Sequence, residues 1–209
     1  SSSKNHAMNL SYQMFDLPLK HTFTIAHQSR DVQDTLIIKL EEDGIYGLGE
    51  STTNPFYGMT IENMSTCLEE FRPVVESGKW KTPEELWELG REVFKNNPFA
   101  QCALDLAAWD FFTKKQGKKL YEYLQLDSKK IPTTNFTIGI DTLDIVRQKT
   151  REASPYKIIK VKLGRDDATD RAIDSQISRL RRKINERGHD ELIRTIRNEG
   201  YMLLAAVAR

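Results

Sequence analysis

Two lysines, two residues apart, are the sharpest candidates for chemistry in this sequence. Lys160 and Lys162 flank Val161 in an apolar run that is typical of a strand. Because side chains alternate along a strand, both ammonium groups belong to one face, about 7 Å apart. Two like charges so close disfavour each other, and such an arrangement is one way in which a lysine becomes a proton-abstracting base near neutral pH. An ordinary solvated strand face has the same spacing, and the spacing alone leaves both interpretations open.

The residues around the pair predict a parallel βαβ unit. The pattern indicates a strand over 133–138, a helix over 143–153, and a second strand over 156–163 that carries the lysines. Strands that alternate with a helix at this spacing favour a crossover connection in a parallel sheet. An alternating α/β architecture therefore begins after Pro132.

Upstream of this unit the sequence predicts strands first and helices afterwards. Alternation over 10–14 and the pattern of 35–49 indicate a strand followed by a hairpin. Thr82-Pro83-Glu84-Glu85 is a capping box with proline at the first helical position. Asn97-Pro98 begins a helix that is apolar almost all round until Gly117. Such a helix must be buried on several sides.

Composition describes an ordinary globular chain of one or two domains. The 209 residues include 31 Lys+Arg against 30 Asp+Glu, a formal charge of +1, and 39 % hydrophobic residues, which excludes collagen-like and wholly disordered chains. With two cysteines, no apolar run approaching about 18 residues and no leader pattern, we expect a reduced cytoplasmic protein without a membrane span. The near-zero charge argues against a whole-chain polyanion binder.

Basic residue choice changes sharply along the chain. Residues 1–164 hold 16 Lys and 5 Arg, whereas 165–209 hold 1 Lys and 9 Arg. A composition shift of this kind marks a segment boundary. We expect the segment after about residue 165 to have a different character from the rest.

Several motifs, in order and at matching spacing, resemble the muconate-lactonising branch of the enolase superfamily, and most of all its dipeptide epimerases. The resemblance covers about residues 9–164 and rests on Gly47-Leu48-Gly49-Glu50, 97–110, 117–121, Thr137 and Lys160-Val161-Lys162-Leu163-Gly164. It implies an α+β enolase-like N-terminal cap domain over 9–131, after a disordered or linker-like extension over 1–8. The first two strands and one helix of a truncated (β/α) barrel would follow over 132–164.

The resemblance also implies roles for individual residues. Lys162 would be the general base at the substrate α-carbon, and Lys160 would tune it and contact the substrate carboxylate. Loops around 25–29 and 53–58, with His27 and Phe56, would choose a small dipeptide substrate. Thr137 would be a further substrate contact.

The family's Mg²⁺ is held by acidic residues on later barrel strands, which the resemblance does not find here. Only 78 residues follow residue 131, whereas a complete barrel takes roughly 200 to 250. We therefore expect no metal site, and assign Asp166, Asp167 and Asp170 to the first turn of the next helix. The expectation is a catalytically inactive fragment. Its open two-stranded sheet, with unpaired edges and an uncovered apolar face, predicts a homodimer or aggregation unless the helix of the C-terminal segment covers that face.

The arginine-rich segment predicts a helix over about 170–185 and a short hairpin over 192–204. Apolar residues form one narrow stripe on this helix, and arginines and serines lie roughly opposite. One interpretation places the polar side in a DNA groove. The other is a solvated helix beside an unrelated hairpin.

This segment is similar to the recognition helix and wing of OmpR/PhoB-type response regulators, on the residues 171–184 and 192–201. The similarity implies phosphate contacts for Arg171 and Thr195, a minor-groove contact for Arg197, and a major-groove face of Gln176, Ser178, Arg179 and Arg181. The tail over 165–209 would be a partial winged helix, a helix plus β-hairpin, joined within 163–170. Three hypotheses follow: an epimerase-like fragment, a DNA-binding regulator fragment, and an artefactual or engineered fusion without evolved function.

Overall fold

The computed structural model describes residues 7–25, 28–162, 175, 177–179, 182, 193–196 and 200–204. The chain divides into two compact units. The first comprises Ser1–Pro18 with Val32–Lys129, and the second comprises Leu19–Asp31 with Lys130–Arg209. The long N-terminal hairpin therefore contributes its base to the first unit and its tip to the second.

An antiparallel three-stranded sheet opens the first unit, in the order β1 (Asn9–Ile25), β2 (Gln28–Glu42) and β3 (Ile45–Thr52). The turn between β2 and β3 is Asp43-Gly44, and both residues have positive φ, at 53° and 79°. A two-residue turn of this kind matches the twist of a hairpin. The predicted hairpin over 35–49 is confirmed.

Helices α1 (Ile61–Glu76), α2 (Pro83–Gly90), α3 (Pro98–Lys115) and α4 (Leu120–Tyr123) complete the first unit, with short 3₁₀ turns at Pro55–Tyr57 and Ser128–Lys130. Alternate residues of β2 are buried because they face these helices. The core contains Leu36, Ile38 and Leu40 of β2, with Met64, Leu68, Phe71 and Val75 of α1 and Ala103, Ala107 and Phe111 of α3. The predicted burial of the 98–116 helix is confirmed.

Two glycines let strand β3 lie directly against helix α3. A Cβ built on Gly49 would lie 1.9 Å from the Ala103 carbonyl oxygen, and one on Gly47 would lie 2.2 Å from the Ala107 carbonyl oxygen. No larger residue fits at either position without moving the helix. The sequence analysis placed both glycines in the hairpin over 35–49, and the structure shows that they also fix the distance between sheet and helix.

Arg72 ties the first strand to α1 through a network of charged hydrogen bonds. Its guanidinium donates to Glu69 at 2.7 and 2.8 Å and to Glu76 at 2.9 Å, and it also reaches the Leu10 carbonyl oxygen. The Tyr12 hydroxyl donates to Glu69 at 2.5 Å. Arg72 and Tyr12 together lower the pKa of Glu69 to about 2.

The structure places Met8 differently from the sequence expectation. Met8, expected within a disordered extension over 1–8, is buried in the core of the first unit with 5 % exposure. A large apolar side chain next to a strand joins the core because burial stabilises it.

Within the part of the chain that the structure describes, no helix has the length and apolarity to cross a membrane.

The second unit contains a mixed four-stranded sheet. Strand β4 (Asn135–Ile138), helix α5 (Leu143–Glu152) and strand β5 (Ile158–Val161) form the predicted βαβ unit, with β4 and β5 parallel. Strands β6 (Ile193–Ile196) and β7 (Gly200–Leu204) form the predicted antiparallel hairpin. The order is β4-β5-β7-β6.

The expectation of an open two-stranded sheet is wrong. Strand β7 pairs antiparallel with β5 along the edge that was expected to be free, and α5 covers the apolar face. Ile138 and Ile159 are buried there with Ala153, and Val146 packs beside them. An unpaired strand edge is satisfied by any nearby extended backbone, and here the C-terminal hairpin supplies it.

Candidate active site

The parallel ladder of β4 and β5 places Thr137 and the two lysines on one face. Thr137 and Lys160 are direct partners in the register. The Lys162 amide donates to the Ile138 carbonyl at 2.8 Å, so the ladder continues one residue beyond β5. All three side chains are partly exposed, whereas Ile138 and Ile159, at the alternate positions, are 1 % and 8 % exposed. The predicted alternation of polar and apolar faces is confirmed.

The apolar face anchors the strands that carry these residues. Phe136 and Val161 pack around the buried cluster under α5, and the Phe136 ring stacks at 4.9 Å on Tyr156. A strand fixed on its reverse side holds the polar face in one geometry. Thr137, Lys160 and Lys162 are therefore presented on a rigid element, as a binding or catalytic site requires.

The register extends the same row across all four strands. Thr137 pairs with Lys160, Lys160 with Met202, and Met202 with Arg194. The neighbouring row contains Phe136, Ile159, Leu203 and Ile193. The hairpin thus enters the sheet in the register that places apolar residue types in the row of the buried isoleucine.

The tip of the β1–β2 hairpin lies against the chain that leaves β4. The Ile140 amide donates to the Thr24 carbonyl at 2.7 Å. A Cβ on Gly139 would lie 2.9 Å from the same oxygen, so only glycine allows this approach. Glu152 of α5 binds Lys20 at 2.8 Å and His21 at 2.6 Å, and these groups with Gln148 lower the pKa of Glu152 to about 2. Lys20, His21 and Thr24, on the β1 side of the loop around 25–29, are thereby held against α5 and the chain after β4; His27 itself lies outside the described residues.

Phe56, the other predicted loop contact, belongs to the first unit and is strongly exposed. It lies in a 3₁₀ turn whose N-cap, Asn54, accepts a hydrogen bond from the Phe56 amide at 3.1 Å. Phe56 is 80 % exposed, and its ring meets Tyr57 edge-on at 5.0 Å; Tyr57 in turn lies 5.7 Å from Phe99. An exposed aromatic ring on a capped turn is suited to contact a ligand side chain.

The described residues do not fit the Mg²⁺ centre that the enolase resemblance implies. Among them, no three His, Cys, Asp or Glu side chains are grouped closely enough to hold a metal ion. Asp141, just after β4, and Glu152 of α5 are bound by cations, Asp141 by Lys149 and Glu152 by Lys20 and His21. Among the described residues, this face carries the two amino groups and the Thr137 hydroxyl.

The predicted DNA-contacting residues are only partly within the described chain. Ser178 and Arg179 have helical backbone and are exposed, which agrees with the predicted polar side of a helix. Thr195 lies in β6. Four further predicted contacts, Arg171, Gln176, Arg181 and Arg197, lie outside the described residues, as does the predicted junction over 163–170.

Lys149 and Gly139 are the residues near the site that sequence reasoning missed. Lys149 is a residue of α5 and is buried, with 5 % exposure. Its signal was readable, because it shares the helical face of Val146 and Ala153, at positions i, i+3 and i+7. A lysine inside an apolar stripe indicates a buried ionic partner. Gly139 follows the strand directly and gave no comparable signal.

Two family profiles match separate parts of this chain. The profile of the mandelate racemase / muconate lactonizing enzyme N-terminal domain matches residues 11–124. The profile of the transcriptional regulatory protein C-terminal domain matches residues 146–203. The second match includes α5 and β5 as well as the C-terminal hairpin, so it begins earlier than the segment that resembled a recognition helix and wing.

Individual relatives agree with the first match. An L-Ala-D/L-amino acid epimerase of Flavobacterium johnsoniae is 42 % identical over 157 residues, which are 75 % of this chain and 46 % of that protein. A protein of the same name from Maribacter is 44 % identical over 160 residues, 77 % of this chain and 47 % of its own length. The crystal structure of a dipeptide epimerase from Methylococcus capsulatus, complexed with Mg and the dipeptide L-Arg-D-Lys, superposes with a TM-score of 0.69 at 26 % identity, covering 87 % of this chain and 51 % of that one. The chain spans about half the length of the relatives it matches.

Proposed function

This chain belongs to the mandelate racemase / muconate lactonizing enzyme family, and from that membership we propose that its lysine face binds a small dipeptide. Lys160 pairs with the ligand carboxylate, and Lys162 is the base of the family's chemistry at the α-carbon. Thr137 and His27 are the further ligand contacts in this proposal, and the contact of Phe56 stays a prediction from the resemblance. The observation that carries it is the ladder that joins Thr137, Lys160 and Lys162 on one partly exposed face.

Charge and geometry support the assignment of the carboxylate to this face. Two ammonium groups about 7 Å apart attract an anion more strongly than either group alone. The neighbouring Thr137 hydroxyl can donate or accept a hydrogen bond to the peptide group of the same ligand.

We propose further that the chain binds its ligand without epimerising it. Removing an α-proton leaves a carboxylate with a second negative charge, which needs strong stabilisation by cations or a metal. In the family that stabilisation comes from strands that follow β5 in the barrel. Strand β7 occupies that edge of β5 in the antiparallel direction, so the next parallel strand has no edge on which to add.

The test is a titration of the full chain with L-Ala-L-Leu, followed by the amide signals in ¹⁵N spectra. We expect saturable shifts at Thr137, Lys160 and Lys162, and at least about tenfold weaker binding in Lys160→Ala because one charge-assisted contact is lost. Lys157→Ala, an exposed lysine on the turn before β5, is the matched control and keeps wild-type affinity. Equal binding by Lys160→Ala would overturn the carboxylate assignment.

A second measurement tests the proposed lack of turnover. The full chain is incubated with L-Ala-L-Leu and Mg²⁺ in deuterated water, and the α-proton signal is followed. We expect no exchange in the wild type. Exchange that disappears in Lys162→Ala and persists in Lys157→Ala would show an active enzyme and refute the inactive reading.

DNA binding by the C-terminal segment is a second candidate function. It is supported by the regulatory-domain match over 146–203, by the exposed helical residues Ser178 and Arg179, and by the hairpin of β6 and β7. The proposal gives Arg171 and Thr195 to phosphates, Arg197 to the minor groove, and Gln176, Ser178, Arg179 and Arg181 to the major groove.

Fluorescence anisotropy with a random duplex tests this candidate. Binding at about 50 mM salt that weakens steeply toward about 200 mM, and is lost in Arg179→Ala and Arg197→Ala, would support it. Arg91→Ala, an exposed arginine of the first unit, is the control and retains binding. No change of anisotropy at the lower salt would exclude a DNA function.

A further inference from the structure

Lys149 joins three segments of the second unit at one buried point. Its ammonium lies 3.0 Å from a carboxylate oxygen of Asp141 and 3.1 Å from the Thr22 carbonyl oxygen. The side chain is 5 % exposed, and that of Asp141 is 25 % exposed. Lys149 comes from helix α5, Asp141 from the chain just after β4, and Thr22 from the hairpin tip. A single side chain therefore holds the helix, the strand end and the tip together.

Electrostatics on both sides of this contact favour the charged pair. Burial alone would raise the pKa of Asp141, but the hydrogen bonds from Lys149 and from the Thr142 amide hold that pKa below its usual range. His21, on the tip, faces the same region and lies against Glu152 of α5, which also binds Lys20. A buried ammonium that loses its anion keeps the cost of desolvation without compensation. Removing either partner should therefore release the tip.

The tip lies one strand away from the lysine face. Ile138 and the two residues after it connect the two regions: the Ile138 carbonyl accepts from the Lys162 amide, and the Ile140 amide donates to Thr24. Gly139, between them, packs against Thr24 and Phe23 without room for a side chain. A displacement of the tip would therefore move the end of β4, next to the residues that would bind the ligand.

We propose that Lys149 is a positioning residue for ligand selection, which holds the described hairpin tip around Thr22 and Thr24 at the carboxyl end of β4 by bridging Asp141 and the Thr22 carbonyl. The proposal rests on the dipeptide-binding function for its ligand, and on the described contacts for its mechanism. Lys149 touches no ligand itself. It acts by fixing the segment that borders the lysine face.

Hydrogen exchange of the full chain without ligand tests whether Lys149 holds the hairpin tip in place. Lys149→Met removes the charge at similar length, and we expect the Ile140 amide to exchange at least tenfold faster while amides of α3 in the first unit keep their rates. Lys149→Arg, which keeps the charge, should restore slow exchange, and Lys157→Met is the matched control on the surface. An unchanged exchange rate of the Ile140 amide in Lys149→Met would show that Lys149 does not hold the tip, whether or not any dipeptide binds.

Ligand discrimination tests the positioning role. The ratio of dissociation constants for L-Ala-L-Leu and L-Ala-L-Glu should change at least threefold in Lys149→Met and return with Lys149→Arg. Faster exchange with an unchanged ratio would reduce Lys149 to a structural residue and refute positioning. If the wild type binds neither dipeptide, the proposed function fails while the exchange result still stands.

A second variant keeps the test decisive if Lys149→Met does not fold. Gly139→Ala adds one methyl group, which would lie 2.9 Å from the Thr24 carbonyl oxygen, and leaves every charge in place. We expect the same faster exchange at Ile140 and the same change of ratio. Wild-type behaviour of Gly139→Ala would contradict the claim that the tip is held closely against this strand end.

Discussion

Replacing Gly49 by alanine should separate strand β3 from helix α3. The new methyl carbon would start 1.9 Å from the Ala103 carbonyl oxygen and 2.7 Å from the Ala107 amide nitrogen. Ordinary contact begins near 3.4 Å, so the helix must move back by about 1.5 Å. The atoms in the way are backbone, and no rotamer change relieves the clash.

The expected cost follows from the size of this displacement. Overpacking a core typically costs about 1 to 3 kcal/mol, and a gap of about 0.5 to 1 Å already forfeits a quarter to a half of a dispersion contact. We expect Gly49→Ala to lose more than about 3 kcal/mol, since helix α3 contributes Ala103, Ala107 and Phe111 to the core. With a urea m-value of about 1 to 3 kcal/mol/M, the midpoint falls by at least about 1 M.

Tryptophan fluorescence during urea unfolding measures this loss directly. The three tryptophans of the chain, Trp80, Trp87 and Trp109, all belong to the first unit. Gly44→Ala is the matched control, because its Cβ meets nothing within 4 Å and its only cost is the positive φ of 79°, about 1 to 2 kcal/mol. A midpoint for Gly49→Ala equal to or above that of Gly44→Ala would refute the close-contact argument.

Three further predictions concern the caps, the charge network and the sheet edge. Asn97→Ala should cost about 1 to 2 kcal/mol, because the buried Asn97 side chain accepts from the Ala100 amide at 3.0 Å; urea unfolding measures it. The pKa of Glu69 is lowered from 4.5 to about 2, so its stabilisation is complete above pH 4.5 and is lost as pH falls through about 2. Arg72→Met should therefore show a smaller loss of urea midpoint than the wild type between pH 7 and pH about 2. A chain ended at residue 190 lacks β6 and β7, which leaves the outer edge of β5 unpaired, and should self-associate in light scattering.

Each of these predictions has a control or a contrary outcome. Thr142→Ala removes an N-cap residue that makes no side-chain cap hydrogen bond and should cost less than Asn97→Ala. Parallel acid sensitivity in the wild type and Arg72→Met would rule out the Glu69 account. A shortened chain that stays monomeric while the full chain associates would show that β7 does not protect the edge.

Local patterns carried most of the prediction of secondary structure. The Asp43-Gly44 turn, the Asn97-Pro98 start of α3 and the alternation around Lys160 each report on neighbours within a few residues, so the sequence predicted the corresponding elements. Their physical causes are turn geometry, capping and side-chain period, which need no knowledge of distant parts of the chain.

Contacts between distant segments were not predictable in the same way. The pairing of β7 with β5 depends on backbone groups, which every residue carries, so no residue type announces it. The tip of the hairpin was expected within a continuous cap domain over 9–131, whereas 19–31 groups with the second unit. Lys149 gave a signal in the apolar stripe of α5, but its partner Thr22 contributes a carbonyl oxygen, which sequence does not distinguish.

The site was predicted as a set of residue types more fully than as a geometry. The shared face of Lys160, Lys162 and Thr137 followed from the period of a strand and the register of a parallel pair. The base role of Lys162 remains a prediction that the exchange experiment tests, and the contacts of His27 and Phe56 remain predictions from the resemblance. The contacts that hold the hairpin tip emerged only from the structure.

The pairing of β7 with β5 has a consequence for how proteins accept foreign sequence. Main-chain pairing does not depend on the origin of a sequence. It requires only extended backbone of suitable length, and strands of four and five residues suffice here. The remaining requirement is the pairing register, which puts Leu203 and Ile193 in the row of Ile159. A one-residue shift that put Met202 opposite Ile159 would also bring Arg194, a charged residue type, into that row. The free edge of a βαβ unit can therefore accept an added hairpin, provided that the hairpin pairs in a register that puts apolar residue types in the buried row.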